Sequence, residues 1–317
     1  MTVRNAKSPL IELIQYITPD GITVDLHDPM AGRAVLTYEG DGLPPLSYDT
    51  TRGPYQNGST VLGAREPERE IDMVVRWTAC NRDDYWDLRS EFVNYLRPNR
   101  TDLNDPDPGV LRRVLSNGNI RDLDVFLISG PTWVYPAQWD HFSFQEPLKF
   151  IANDPILYDP TPVTCTLTDF EYVGDPDIVF PFEFPFVFVD DNPTVTKTCN
   201  LTYEGNWESL PIITVEGPWT YLLIEHAETG KLIELEGYVS PAAEITTIDL
   251  TYNVKTIITD SGDSLIAYLT NNSTLGTFAI LPDPLVAGGA NTINVEIGGG
   301  SAATEFILTY YDRYIGI

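Results

Sequence analysis

Polar and apolar residues alternate with a period of two over much of this chain, the pattern of strands buried on one face. In "GITVDLHDP" (21–29), Ile22, Val24 and Leu26 alternate with polar neighbours after a Pro-Asp-Gly turn. "GRAVLTYEG" (32–40) follows, and "IDMVVRWTA" (71–79) sets Ile71, Met73, Val75 and Trp77 on one side of a predicted strand. "RDLDVFLIS" (121–129) and "DHFSFQEPLKFIA" (140–152) return to alternation. The period changes in "NRDDYWDLRSEFVNYLRP", where Tyr85, Leu88, Phe92 and Tyr95 with Leu96 form one apolar stripe at helical spacing. Asn81 is a good N-cap, and Asp83 and Asp84 sit where the helix dipole favours negative charge. Pro98 ends the pattern, so the spacing predicts a helix over 82–96. The stretch after it (97–113) reads as a polar loop.

The second half carries no helical period. Short strand patterns separated by turn residues recur in "PIITVEGP", "TGKLIELEG", "ITTIDLTYN", "KTIITDSGDSLIAYL", "NTINVEIGGG" and "EFILTYYDRY". This spacing predicts an antiparallel β-sandwich. Ahead of these runs, Phe180, Phe182, Phe184, Phe186 and Phe188 occupy every second position, with Pro181 and Pro185 between them. Proline cannot donate to a ladder, so the segment is expected to be an edge strand or an extended arm. Between the halves lies "FIANDPILYDPTP" (150–162), where Asp-Pro steps hold the backbone extended and end strand pairing. Ile156, Leu157 and Tyr158 inside it are expected to tack the connector onto the first half. The expected domains are 1–160, containing the helix, and 161–317, a sandwich.

One segment breaks the pattern without ending a domain. "GDGLPPLSYDTTRGPYQNGSTVLG" (40–63) is long for a connection inside a compact domain, which points to a functional arm. Asn57-Gly58 is its strongest hairpin signal and predicts a type I′ turn.

Charge narrows the partners. The chain has 317 residues with 19 basic and 46 acidic side chains, a net charge of −27. Residues 1–160 carry −9 and residues 161–317 carry −18. Such a surface repels nucleic-acid phosphates and anionic lipid headgroups, so neither is an expected partner. No segment approaches the roughly 20 apolar residues that cross a bilayer, and the N-terminus lacks a cleavage pattern; a soluble, unprocessed chain is expected. Cys80, Cys165 and Cys199 have no CxxC spacing and are read as reduced thiols, with a Cys165–Cys199 pair as the alternative.

Catalytic chemistry finds no support. Glu66, Glu68 and Glu70 read as a solvated face, and Asp83, Asp84 and Asp87 as a helix start, rather than as acid/base pairs. His27, His141 and His226 are isolated and are read as surface or turn histidines. Gly262 and Ser264 in "DSGDS" read as a hairpin turn. "GGGS" (298–301) lacks the Lys-Ser/Thr of a phosphate loop, and "DDNP" (190–193) lacks calcium-loop spacing. Neither an enzyme nor a bound cofactor or metal is expected.

Several stretches taken in order are familiar. They are "GDGLPPLSYDTTRGPYQNGS", "REIDMVVRW", the helix, "FIANDPILYDP", and "FPFEFPF" with "GNWESLPIITVEGP", "TGKLIEL" and "TTIDL". Together they resemble the distal tail protein (Dit) family of long-tailed bacteriophages, from about residue 20 onward. The resemblance implies an N-terminal β-barrel-like domain with one helix and a C-terminal galectin-like sandwich. It also implies a homohexameric ring at the tail end of the virion, assembled in the bacterial cytoplasm. That ring joins the tail tube protein to the tail-tip hub protein and anchors receptor-binding proteins or fibres. Carried over by position, Tyr55, Gln56, Asn57 and Gly58, with Met73 and Val75 on strand 71–78, are the interface candidates. The chain departs from the family pattern in its acidic second half, and no large inserted carbohydrate-binding module is present. The rival reading is a carbohydrate-binding module presenting Trp207, Trp219 and Tyr221 to host-surface glycans.

Overall fold

A computed structural model of the chain describes residues 12–97, 106–133, 142–172, 193–252 and 254–317. The fold is mainly β, in two compact units: residues up to Pro160 together with Tyr314–Ile317, and Thr161–Arg313. The expected phenylalanine arm, the "DDNP" turn residues before Pro193, His141 and the helix-ending Pro98 lie outside the described residues. Among the described residues, no helix is long and apolar enough to cross a membrane.

The first unit contains β1 (Leu13–Ile17), β2 (Thr23–His27), β3 (Arg33–Glu39), β4 (Ser47–Thr51), β5 (Thr60–Arg65) and β6 (Arg69–Thr78). Helix α1 (Arg82–Leu96) follows, then β7 (Gly109–Val114), β8 (Ile120–Ser129), β9 (Ser143–Ala152) and β10 (Leu157–Tyr158). The main sheet runs in the order β2-β1-β7-β8-β9-β6-β3, and β10 pairs with β8 off this path. Its two ends meet at a tight connection, where Asp28 and Arg33 exchange backbone hydrogen bonds of 3.0 and 2.9 Å. The ladder does not continue beyond that bridge, so the sheet curls without closing into a barrel.

Strand β6 explains the core. Its burial alternates along its whole length, with Ile71, Met73, Val75 and Trp77 inward. Helix α1 lays its stripe on this face, and the Phe92 ring sits 4.7 Å from Trp77 and 5.4 Å from Phe144. The cap is as the sequence predicts: the Asn81 side chain accepts from the Asp83 and Asp84 backbone N–H groups, each at 2.9 Å. Arg89 joins the buried residues, its guanidinium 3.9 Å from the Trp133 ring centre. Glu146, buried in β9, holds Trp133 and Thr132 by accepting their backbone N–H groups at 3.0 and 2.8 Å.

The expected polar loop over 97–113 requires correction, since its end forms strand β7. Leu111 of β7 points into the core, while the neighbouring arginines find carboxylates on β8 and in the segment after β3. Arg112 pairs with Asp122 of β8 at 2.7 Å, and Arg113 pairs with Asp41. Lateral ion pairing lets an arginine-rich segment run as a strand. The connector trio packs on the same unit: Ile156 and Leu157 are buried, and the Tyr158 hydroxyl donates to Asp124 at 2.8 Å.

The second unit comprises β11 (Val163–Thr168), β12 (Thr194–Thr202), β13 (Ile212–Glu216), β14 (Trp219–His226), β15 (Lys231–Ser240), β16 (Ile245–Asp249), β17 (Thr256–Thr259), β18 (Ala290–Gly298) and β19 (Glu305–Tyr310). A sheet β11-β19-β13-β16-β17 and a sheet β12-β18-β14-β15 enclose one apolar core that includes Ile213, Trp219, Ile224, Ile248, Val295 and Phe306. Helical structure here is limited, among the described residues, to three-residue 3-10 turns. A short strand β20 (Arg313–Tyr314) then pairs with β10.

Two sequence expectations are corrected in this unit. Cys165 and Cys199 are not reduced thiols but a disulfide, with Cα atoms 6.3 Å apart. It joins edge strands β11 and β12, which belong to different sheets. Cys80 is free and exposed. His226 is not a surface residue; it is fully buried, its Nε2 2.8 Å from Asn291 Oδ1 and its Nδ1 3.2 Å from Glu228. Asn291 also bonds the Leu281 backbone in both directions, at 2.8 and 2.9 Å, so the imidazole joins a buried polar node through Nε2 while Nδ1 makes no hydrogen bond.

Candidate assembly interface

Among the described residues, strands β4 and β5 pair only with each other and stand apart from every other sheet. All of their residues are exposed. A two-stranded hairpin with no packed face is marginal in water, so this arm lacks the burial that ordinarily justifies a strand. It also carries apolar side chains: Leu43, Leu46, Tyr48, Val61 and Leu62 are exposed, Leu62 to 70%. Scattered exposed leucines need no explanation, but a group of them on one projecting element does.

The tip is organised by Gln56. Its Oε1 accepts from Gly53 N at 2.9 Å, its Nε2 donates to Thr60 Oγ1 at 2.8 Å, and its carbonyl accepts from Arg52 Nε at 3.1 Å. These bonds hold an eight-residue loop over 52–59, so the expected two-residue type I′ turn at Asn57-Gly58 is not formed. Gly58 takes φ +83°, but the second left-handed residue is Tyr55, at φ +65°, and not Asn57. Tyr55 is fully exposed in this unfavourable conformation. Farther down the arm, Arg65 bonds both Asp49 oxygens, at 2.6 and 2.9 Å, across the two strands.

At the root, the Asp41 carboxylate pairs with Arg113 and hydrogen-bonds Tyr38. Burial pushes the Asp41 carboxyl above its ordinary range, against the pull of Arg113. Burial and the neighbouring Asp41 carboxylate push the Tyr38 hydroxyl up as well. The guanidinium of Arg113 lies 4.8 Å from the Tyr38 ring centre.

The structure thus gathers Tyr55, Gln56, Asn57 and Gly58 at one tip and separates Met73 and Val75 from them. Those two side chains are 2% and 0% exposed in the core of the first unit. Their strand β6 is hydrogen-bonded on both edges, to β3 and β9, and turns its apolar side onto the core of its own unit. Sequence reasoning missed Leu43, Leu46, Tyr48, Val61 and Leu62. An arm with no core face shows no apolar period, and only the unusual length of the segment marks it.

Other constellations do not assemble a site. Trp219 is wholly buried, and Tyr221 donates to Glu234 at 2.9 Å, so Trp207, Trp219 and Tyr221 make no open aromatic platform. His27 accepts the Val35 N–H at 3.1 Å through Nδ1. Among the described residues, no group of three or more His, Cys, Asp or Glu is gathered as a metal site would gather them.

No protein-family model matches the chain, and no curated protein matches its sequence. Solved structures do. The Dit protein of phage SPP1, a paradigm of the hub adsorption apparatus in phages infecting Gram-positive bacteria, superposes with a TM-score of 0.56 at 14% identity. The match covers 94% of this chain and 98% of that one. A chain of the phage P2 baseplate in its activated conformation with Ca matches at TM-score 0.47 and 10% identity, over 94% and 98% of the two chains. Over nearly its whole length, this chain has the fold of a Dit distal tail protein.

Proposed function

We propose that the chain is a non-enzymatic structural protein of a phage tail tip, a homohexameric ring that joins the tail tube to the tail-tip hub. Residues 1–160 form the ring, and residues 161–317 are a galectin-like outer domain that anchors receptor-binding proteins or fibres. The observation that carries this reading is the exposed β4–β5 arm. Its open strand edges and exposed Tyr48, Tyr55, Val61 and Leu62 find no partner surface among the described residues of their own chain. A neighbouring copy supplies one, by strand pairing and apolar burial together. The likeness to the SPP1 Dit protein supports the same assignment at the level of fold.

Mass in solution together with negative-stain images tests the proposal. Wild-type chain is expected to form six-membered rings, alone or with the adjacent hub protein. Leu62→Asp, which places a charge on the arm without touching either core, is expected to abolish them. A wild-type chain that stays monomeric with the hub protein present overturns the ring.

A further inference from the structure

The base of the arm touches residues that lie outside it. Gly40, the first residue after β3, takes φ +112° and presses against β6; a Cβ there would come within 2.5 Å of the Glu70 carbonyl oxygen. Its own carbonyl accepts from Arg69 Nη1 at 3.1 Å. Arg69 opens β6, where the arm returns, so one side chain ties the leaving leg to the returning leg. The same guanidinium donates through Nη2 to the carbonyl of Ile315, at 2.6 Å. Arg69 is 1% exposed, a charge buried among backbone oxygens with Asp41 and Asp154 as its nearby carboxylates.

Residues 314–317 complete the arrangement. Tyr314 lies under Arg121, with 3.5 Å from the guanidinium carbon to the ring centre. Ile317 donates its N–H to the Asp41 carbonyl at 3.2 Å. Gly316 passes so near Gly42 that a Cβ on it would sit 3.1 Å from the Gly42 carbonyl oxygen. Three successive residues at the arm's root are therefore each held by Arg69 or by the strap at 315–317.

We infer that Arg69 and the strap Tyr314–Ile317 form a latch that fixes the direction in which the β4–β5 arm projects. The hairpin has no packed face of its own, so its orientation is set at the root or not at all. Fixing it beforehand removes ordering entropy that capture by a neighbour otherwise costs. The contribution to assembly rests on the ring reading; the latch itself is a property of the single chain. Arg69 is thus a positioning residue for the arm.

The test compares wild type, Arg69→Ala, Arg69→Lys and a chain ending at Arg313. Tryptic cleavage at Arg52 and Arg65 is followed on dilute protein, where rings do not form, with thermal unfolding of the whole chain recorded in parallel. Removing the strap is expected to speed arm cleavage by roughly tenfold, the scale of one lost charged hydrogen bond, with the unfolding profile unchanged. Arg69→Lys, which keeps the charge and part of the donor set, is expected to restore slow cleavage partway relative to Arg69→Ala. If Arg69→Ala fails to fold, the chain ending at Arg313 still decides, because it keeps every fully buried residue of the first unit's core and loses only the half-buried Tyr314 at its edge. Unchanged cleavage in that chain overturns the latch, whatever the state of assembly. Faster cleavage in a protein that never forms rings upholds the latch and removes the ring reading alone. Normal ring populations despite a freed arm overturn its role in assembly.

Discussion

Phe92 fills the space between Trp77 and Phe144 with no exposed surface, whereas Leu88 on the same stripe is only half-buried. Phe92→Ala is therefore expected to cost about 3–5 kcal/mol, and Leu88→Ala clearly less, by urea unfolding. Equal losses at the two sites would show that α1 sits differently on the sheet. Tyr16 offers a pH test. Burial pushes its hydroxyl up from 10.0 to about 12, so the fold favours the neutral phenol. Its contribution to stability is intact below about pH 10 and is lost as pH rises through about 12. Tyr16→Phe is expected to lose on the order of 2 kcal/mol less than wild type over that window, measured as unfolding free energy against pH. A parallel decline in both proteins would place the Tyr16 hydroxyl in water.

At the scale of the element, the arm separates stability from assembly. Tyr55 holds φ +65°, where an L-residue is strained and glycine is not. Tyr55→Gly is expected to leave the monomer as stable as wild type or slightly more so, while lowering the ring population by removing the most exposed aromatic. Circular dichroism melts and sedimentation measure the two effects on one sample. A variant that assembles normally would take Tyr55 out of the contact. The same logic explains why the turn expected at Asn57-Gly58 gives way to a wider loop. Gln56 satisfies three backbone or side-chain partners at once, and the chain follows those bonds rather than the tightest available turn.

At the scale of the molecule, two features act over long range. The disulfide closes a sequence separation of 34 residues and ties the edges of two sheets. By loop-closure entropy its reduction is expected to cost about 3–4 kcal/mol, read as a lower unfolding temperature in reductant and in Cys165→Ser. No shift would mean the sandwich core alone holds that edge. The net charge of −27 opposes any association of identical copies. Ring assembly is accordingly expected to strengthen as salt rises from about 0.01 M to about 0.15 M, where screening shortens from about 30 to about 8 Å. Weakening over that range would show that the contacts are ion pairs rather than apolar burial.

What the sequence by itself determined is whatever neighbours along the chain decide. Asn81 and the two aspartates after it start α1, and the alternation in 71–79 makes β6, because caps and periods act within a few residues. Mainly β architecture follows from the same local patterns, and the ordered motifs pointed to the distal tail fold. Period alone does not say whether an apolar face meets its own core or a partner. Met73 and Val75, carried over as contact residues by the family resemblance, lie buried on a strand that β3 and β9 flank. Strand β7 was hidden because Arg112 and Arg113 are compatible with a strand only when Asp122 and Asp41 lie alongside. Cys165 and Cys199 became a pair, and His226 a core residue, through the stacking of two sheets. The bond from Arg69 to Ile315 spans 246 positions. Such contacts depend on which strands become neighbours, and that is decided by tertiary packing rather than by any local pattern of residues.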